Sequence, residues 1–410
     1  MTPDEFALMR AYPTAMDLRA RAKKMMPNFS FEYMDGGAGN DTNVKRNWDS
    51  LDSVQLMPRY GLVSRPPSCE ATLFGHKYSA PIGISPIGGP GTAYPGAEHY
   101  LARAAQKANV PYTLGLLSGI DMVEAAKIAP DVLWFQLYRA HANKHEIGLD
   151  LARRAAAAGV KVLVLTIDTP IRTTRPRETK AGITNPFRVT NRLRFDALTS
   201  PSWCAAMLRH GVPRFASLRP YMKPGMDLSA TADWIRKEIG GAFTWDEIAL
   251  YRDVWKGPLV LKGVLHPGDA ERAIAMGIDG LFVTNHGGRQ IEALPASVDA
   301  LPAIVEQAKG RATIILDSGV RSGVDAARAV ALGADAAFVG KAFLWSLGAL
   351  GPRGPGHLIN VLSEDMRATM GQLGCQKVSD LRDVVRRHPG AWHLDDFAMN
   401  QTNNTGDATC

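Results

Sequence analysis

From about residue 80 to residue 340 the chain alternates between two patterns. Short apolar or β-branched runs occupy 81–85, 111–115, 132–137, 161–167, 258–262, 280–284, 312–317 and 335–340. Between them lie Ala-rich stretches with apolar residues at helical spacing, at 97–108, 121–128, 147–158, 245–255, 267–276, 297–308 and 322–332. Short continuous apolar runs suit strands covered on both faces, while the wider spacing suits helices with one face on a core. Many of the helical stretches close on a glycine, which accepts the left-handed backbone of a helix end. Strands each followed by a helix, repeated eight times, predict an α/β fold closed as a TIM (β/α)8 barrel, with a doubly wound open sheet as the alternative. Residues 1–79 read as a helical and extended lead-in packing on the barrel, 80–385 as the barrel, and 386–410 as a C-terminal tail.

Barrels of this kind collect their active sites at the C-terminal ends of the strands, so the residues at those ends carry the argument. Gly88 and Gly89 follow the first run; Gln136, Leu137 and Tyr138 close the third, Thr166 and Asp168 the fourth, and Lys262 the fifth. His286 and Arg289 follow the sixth, Asp317, Gly319 and Arg321 the seventh, and Gly340 and Lys341 the eighth. The sixth exit, HGGR, is either a solvated polar turn or a site in which an imidazole and a guanidinium converge. Asp168 and His286 suit an orienter and base, the carboxylate favouring the imidazolium. A buried Lys262 needs an anion, and serves either as a Schiff-base nucleophile or as a cation stabilising negative charge on a cofactor. The glycine-rich turns LDSGVRSG (316–323) and AFVGKAF (337–343) suit phosphate binding at helix N-termini, or packing alone.

The connection between the fourth and fifth runs, 172–244, is far longer than a usual βα loop. Between Arg172 and Lys223 it holds eleven basic residues and two acidic ones, an excess of nine against +7 for the whole chain. The remainder is therefore close to neutral. Phe187, Leu193, Phe195, Leu198, Trp203, Met207, Leu208, Phe215 and Tyr221 interleave with that charge. Such a mixture suits the surface of an anionic membrane, or else an ordered lid whose arginines serve the site or the subunit interface. No nucleic-acid motif accompanies it, so nucleic acid is not an expected partner.

Composition narrows the class without naming a chemistry. The chain has 410 residues, 46% hydrophobic and 21% charged, as a globular protein with a large core does. Cys69, Cys204, Cys375 and Cys410 show neither zinc-site nor disulfide spacing, so no metal is expected and the compartment reads as reducing. The N-terminus lacks the uninterrupted apolar core of a secretory signal, and no run is apolar enough to span a membrane. The expected location is cytoplasmic, with peripheral contact at the inner face of the cell membrane through 172–223.

The motifs FEYMDGGAG (31–39), WFQLY (134–138), LTIDTP (165–170), LVLKGVL (259–265), TNHGGRQ (284–290), LPASVDALP (294–302) and LDSGVRSG (316–323) occur in order from about residue 5 to about 385. Together they resemble the FMN-dependent L-2-hydroxy acid dehydrogenase and oxidase family, which includes glycolate oxidase, L-lactate dehydrogenase and mandelate dehydrogenase. RHGVP (209–213), ahead of a long basic stretch, resembles the membrane-associated bacterial dehydrogenases. The resemblance implies FMN as cofactor and a lactate- or mandelate-like acid as substrate. His286 would be the base, with Asp168 supporting the imidazolium. Arg289 and Arg175 would grip the substrate carboxylate, and Tyr33 and Tyr138 would hydrogen-bond the substrate. Lys262 would sit by the N1 and O2 edge of the flavin, Gln136 and Thr166 by its polar edge, and Gly88 against its face. Asp317, Gly319, Arg321, Gly340 and Lys341 would hold the ribityl chain and phosphate.

The chain departs from the family pattern in four places. Gly340-Lys341 replaces a Gly-Arg, SPIGG (85–89) replaces a Pro-Thr-Ala-Met stretch, and Gly115 stands where relatives carry Ser. Gly88, where oxidases tend to have Ala, fits the dehydrogenase branch. The resemblance thus implies oxidation of a 2-hydroxy acid to the 2-oxo acid, with electrons passed to a quinone or another acceptor than oxygen, in a homo-oligomer, as a rule a tetramer. An oxidase releasing hydrogen peroxide is the nearest alternative. A flavin-dependent non-redox isomerase and a non-catalytic membrane-binding barrel are more distant ones.

Overall fold

A computed structural model describes residues 2–62, 65–171, 173–183, 190–212, 214–226 and 228–398. Arg172, Phe187, Arg188, Pro213 and the tail from 399 to Cys410 lie outside the described residues.

Eight parallel strands close into a barrel: β1 (Ile82–Ile84), β2 (Tyr112–Gly115), β3 (Leu133–Leu137), β4 (Val162–Thr166), β5 (Leu259–Val264), β6 (Gly280–Val283), β7 (Thr313–Asp317) and β8 (Ala336–Val339). Closure comes from β8 pairing with β1, with Ala337 opposite Ile82, Phe338 opposite Gly83 and Val339 opposite Ile84. Each strand coincides with one of the apolar runs. The helices Ala97–Ala108 and Ser297–Ala308 occupy their predicted spans, while the helix predicted at 147–158 begins earlier and covers Ala142–Ala157.

Alternation of side chains along a strand sorts the barrel interior into levels. Trp134, Phe282 and Phe338 form one level, with ring centroids 4.9 to 6.5 Å apart. Phe74, at the tip of the hairpin formed by Ala71–Leu73 and His76–Tyr78, brings its ring within 5.5 Å of Trp134 and covers that level from below. Gly83 makes room for the aromatics, since a Cβ there would lie 2.4 Å from the Phe338 ring. Two residues further along stand Gln136 and Thr284, with Gly340 bare of a side chain beside them, so a polar deck rests on an apolar floor. Aligned strands thus separate the part of the interior that stabilises from the part that binds.

The lead-in is integral to this body. Its helix Ala15–Met25 opens on a capping box between Thr14 and Asp17 and packs on the helix Lys341–Leu350 after β8. The long connection is likewise ordered where described, with helices Pro176–Lys180, Asn191–Leu198, Pro201–His210 and Leu228–Glu238. Trp203 Nε1 donates to Ala93 O at 3.0 Å, and Tyr100 OH meets His210 Nε2 at 2.7 Å, which anchors it beside the barrel mouth. Residues past 385, expected as a tail, continue to pack. Arg386–Arg387 pairs antiparallel with Gln55–Leu56, and a short helix covers Leu394–Ala398. A polar composition hid that pairing, because two-residue strands leave no periodic signal. No helix among the described residues is long and apolar enough to cross a membrane.

Candidate active site

The exit from β6 is a tight turn in which His286, Gly287 and Gly288 have φ of 61°, 67° and 74°. Two of these positions go to glycine at no steric cost, and Gly288 is also required by space, because a Cβ there would lie 2.7 Å from Val44 N. His286 is the exception, a residue with a Cβ held in the left-handed region. Such positions persist only where surrounding contacts over-determine them, and they cluster at functional sites.

The turn swings the imidazole to Asp168, whose two carboxylate oxygens lie 3.0 and 3.1 Å from Nδ1. Asp168 is placed by a second glycine. Gly263, φ 111°, interrupts the register of β5 between Lys262 and Val264, and a Cβ there would lie 2.5 Å from Asp168 Cβ. Burial pushes the Asp168 carboxyl up, yet His286 and Lys262 outweigh burial and hold it below the usual carboxylate range. For His286 burial pushes downward and Asp168 opposes it; Lys262 and Arg175 add to the lowering, and the net shift is downward. At neutral pH the ring is therefore a neutral imidazole, with Nδ1 held and Nε2 left for a proton.

Both arginines reach this mouth, and their donors meet a carboxylate of the chain itself. Arg289 Nη2 donates to Glu178 Oε1 at 2.6 Å, and Arg175 Nη1 lies 3.4 Å from the same oxygen. Arg289 Nη1 also donates to Tyr33 O and Gly36 O at 2.8 and 2.9 Å, and its guanidinium lies 5.4 Å from the centroid of the Tyr33 ring. Glu178 was not singled out in the sequence. Its only signal was an acid three residues past Arg175, at the start of a helix opened by Pro176. Tyr33 OH donates to Gly88 O, and a Cβ on Gly88 would lie 3.7 Å from Tyr138 OH, so both phenols meet at that glycine. Burial foremost, then Asp168 and Tyr33, push the Tyr138 phenol well up, which keeps it a hydrogen-bond donor.

Below lies the polar deck. Gln136 Nε2 donates to Thr166 Oγ1 at 2.8 Å, and both are buried. Lys262 Nζ lies 3.4 Å from Asp317 Oδ2, and Asp317 also accepts from Ser85 Oγ at 2.9 Å and Thr284 Oγ1 at 3.2 Å. Space favours glycine at Gly115: a Cβ there would lie 2.7 Å from Ile87 O, where the SPIGG turn passes close. The charges expected at a phosphate are engaged by the protein. Arg321 donates to Asp52 at 2.7 Å and to Asp325 at 3.3 Å, over the Trp48 ring. Lys341 Nζ donates to Asp35 O at 2.9 Å and Gly36 O at 3.2 Å. Burial, with Arg289 nearby, pushes that ammonium down to about 7 against the pull of Asp35 and Asp41.

This assembly, a polar deck in a barrel mouth with a histidine and carboxylate pair and two arginines above it, can hold a small acid and take a proton from it. Residues 22–387 match the FMN-dependent dehydrogenase family, and the chain belongs to it. Among its relatives is an L-lactate dehydrogenase of Pectobacterium atrosepticum, 35% identical over 366 residues that cover 89% of this chain and 94% of that protein. An L-lactate dehydrogenase of Yersinia pestis is also 35% identical, covering 89% of this chain and 95% of its own. Among solved structures, a monotopic membrane protein, (S)-mandelate dehydrogenase, superposes with a TM-score of 0.86 at 30% identity, over 92% of this chain and 99% of that one. A mandelate oxidase superposes at 0.78 and 31%, again over 92% and 99%.

The residues present fit the family's flavin. Cβ atoms built on Gly88, Gly287 and Gly340 would meet their nearest neighbours at 3.7 Å, an ordinary van der Waals contact, so crowding within the protein does not require glycine at these positions and a ring laid against them is what a side chain would obstruct. The helix Lys341–Leu350 begins at Gly340 without a side-chain cap, leaving its first N–H groups for a phosphate, whereas Ser322 caps the helix after β7.

Proposed function

We propose that this enzyme oxidises a small L-2-hydroxy acid to the 2-oxo acid, with His286 taking the proton. The observation that carries the reading is the His286–Asp168 contact at 3.0 Å, within one mouth with Arg175 and Arg289. Bound FMN supplies the electron-pair acceptor. Lys262, Gln136 and Thr166 would face its polar edge, Asp317 and Gly319 its ribityl chain, and the N-terminus at Gly340 and Lys341 its phosphate. The two guanidiniums hold the substrate carboxylate once Glu178 yields donors to it, a task suited to planar forks. Tyr138 donates a hydrogen bond to a substrate oxygen, and Tyr33 does so once its hydroxyl turns from Gly88 O. His286 accepts a proton at Nε2, and Asp168 stabilises the imidazolium formed.

The acceptor is proposed to be a membrane quinone. Phe195, Leu198, Leu208 and Val212 are exposed on the long connection, among Arg192, Arg194, Arg209 and Arg214. Apolar side chains ringed by cations suit the headgroup region of an anionic bilayer, at the inner face of the cell membrane. L-lactate or L-mandelate added to the yellow protein without oxygen is expected to bleach the flavin, and a quinone analogue to restore the colour. Bleaching by no 2-hydroxy acid would refute the reading, and fast recolouring by air alone would move it to the oxidase branch.

A further inference from the structure

Behind the His286 turn two buried asparagines face each other. Asn47, on the lead-in helix Thr42–Ser53, donates from Nδ2 to Asn285 Oδ1 at 2.9 Å, and its Oδ1 accepts from Asn285 Nδ2 at 2.7 Å. The same Asn47 oxygen accepts from Ser297 N at 3.2 Å, while Ser297 Oγ accepts from Asn285 N at 2.9 Å. Asn285 Oδ1 accepts a second bond from Gly288 N at 3.1 Å, and Asn285 Nδ2 donates a second to Pro295 O at 2.9 Å. Both hydrogens and both lone pairs of the Asn285 amide are thereby used. A buried amide whose donors and acceptors are all engaged is held rigidly, because any rearrangement strands a polar atom away from water.

That network brackets the base. Asn285 precedes His286 and Gly288 follows it by two, so the amide grips the turn on either side of the residue with φ 61°. His286 occupies a backbone region disfavoured for a residue with a Cβ, and the bracket supplies the contacts that over-determine it. Asn47 touches the neighbouring turn as well, since a Cβ on Gly319 would lie 2.9 Å from Asn47 Cβ and 3.0 Å from Asn47 O. One residue of the lead-in is thus in contact with the turns that follow both β6 and β7.

We propose that Asn47 is a positioning residue for proton transfer: through Asn285 it holds the His286 turn at the geometry in which the imidazole meets both Asp168 and the substrate. The inference rests on the reading of His286 as the base. It differs from a purely structural role, in which the pair only fastens the lead-in to the barrel.

The test measures anaerobic bleaching by L-lactate and L-mandelate, per bound flavin and across pH, for the wild-type holoenzyme, Asn47→Ala, Asn47→Asp and His286→Gln. Misplacing a base by a fraction of an ångström is costly, so Asn47→Ala is expected to lower the limiting rate about 10- to 100-fold while the half-saturating acid concentration changes by about threefold or less. Its acid limb should move to lower pH, because an imidazole that drifts from Asp168 loses the charge that holds its proton. Asn47→Asp keeps the acceptor oxygen but sets a second oxygen against Asn285 Oδ1, adding a repulsion to the lost donor; a loss of limiting rate at least as large as that of Asn47→Ala is expected. Unchanged rates and pH profiles in both variants, with only a lower melting temperature, would overturn the proposal. Bleaching by His286→Gln at the wild-type rate would instead strike at the base reading, so the two failures are told apart.

Discussion

At the residue scale the account turns on an imidazole kept neutral by burial beside a carboxylate kept ionised. The sign of the pH dependence follows. The proton-accepting form is neutral, and the pKa of His286 lies below its ordinary 6.5. Activity should be full above that value and fall only as pH drops through the lowered one, so kcat/KM, which reports the free enzyme, should show an acid limb centred below 6.5. Asp168 is the influence that opposes the lowering. Asp168→Asn is therefore expected to move the limb further down while reducing kcat about 100-fold through lost orientation. A limb that moves upward in this variant would mean that the carboxylate does not favour the imidazolium. Part of this site was legible in the chain, since HGGR and LTIDTP name their own chemistry. Glu178 and Asn47 were not. Glu178 meets Arg289 and Asn47 meets Asn285, each more than a hundred residues away, and a single sequence carries no mark of such long-range pairs beyond the local spacing of Glu178 from Arg175.

Elements carry the next level. Each barrel strand was readable because a strand buried on both faces is a short apolar run and each is separated from the next by a helical stretch. The lead-in and the long connection resisted reading in detail, since their helices are short and take their stability from tertiary contacts such as Trp203 on Ala93. Their apolar residues divide by exposure in a way composition cannot reveal: Trp203 is 6% exposed, whereas Phe195, Leu198 and Leu208 are 67%, 74% and 89% exposed. If those three meet a bilayer, replacing them together by Ser should sharply reduce co-sedimentation with anionic vesicles, since each buried side chain contributes about 1.5–3 kcal/mol. Bleaching by the acid in solution should be untouched. Vesicle binding equal to the wild type would remove this segment from the membrane.

For the whole molecule, the barrel brings residues from 33 to 341 to one mouth, and the lead-in and long connection complete it from either side. Charge follows the same division: the connection after β4 carries an excess of nine between Arg172 and Lys223, more than the +7 of the whole chain, and the remainder is nearly balanced. The fold was legible because eight repeats of one pattern admit few closed arrangements. The direction in which Arg321 and Lys341 point was not, because a basic residue in a glycine-rich turn reads the same whether it meets a phosphate or a carboxylate such as Asp52. Rapid anaerobic mixing of the yellow holoenzyme with L- and D-enantiomers of lactate and mandelate, beside His286→Gln, tests the central claim most directly. An L-acid is expected to bleach the wild type, while His286→Gln stays yellow with its flavin bound. Bleaching of His286→Gln at an undiminished rate, or of the wild type by D-acids alone, would contradict it.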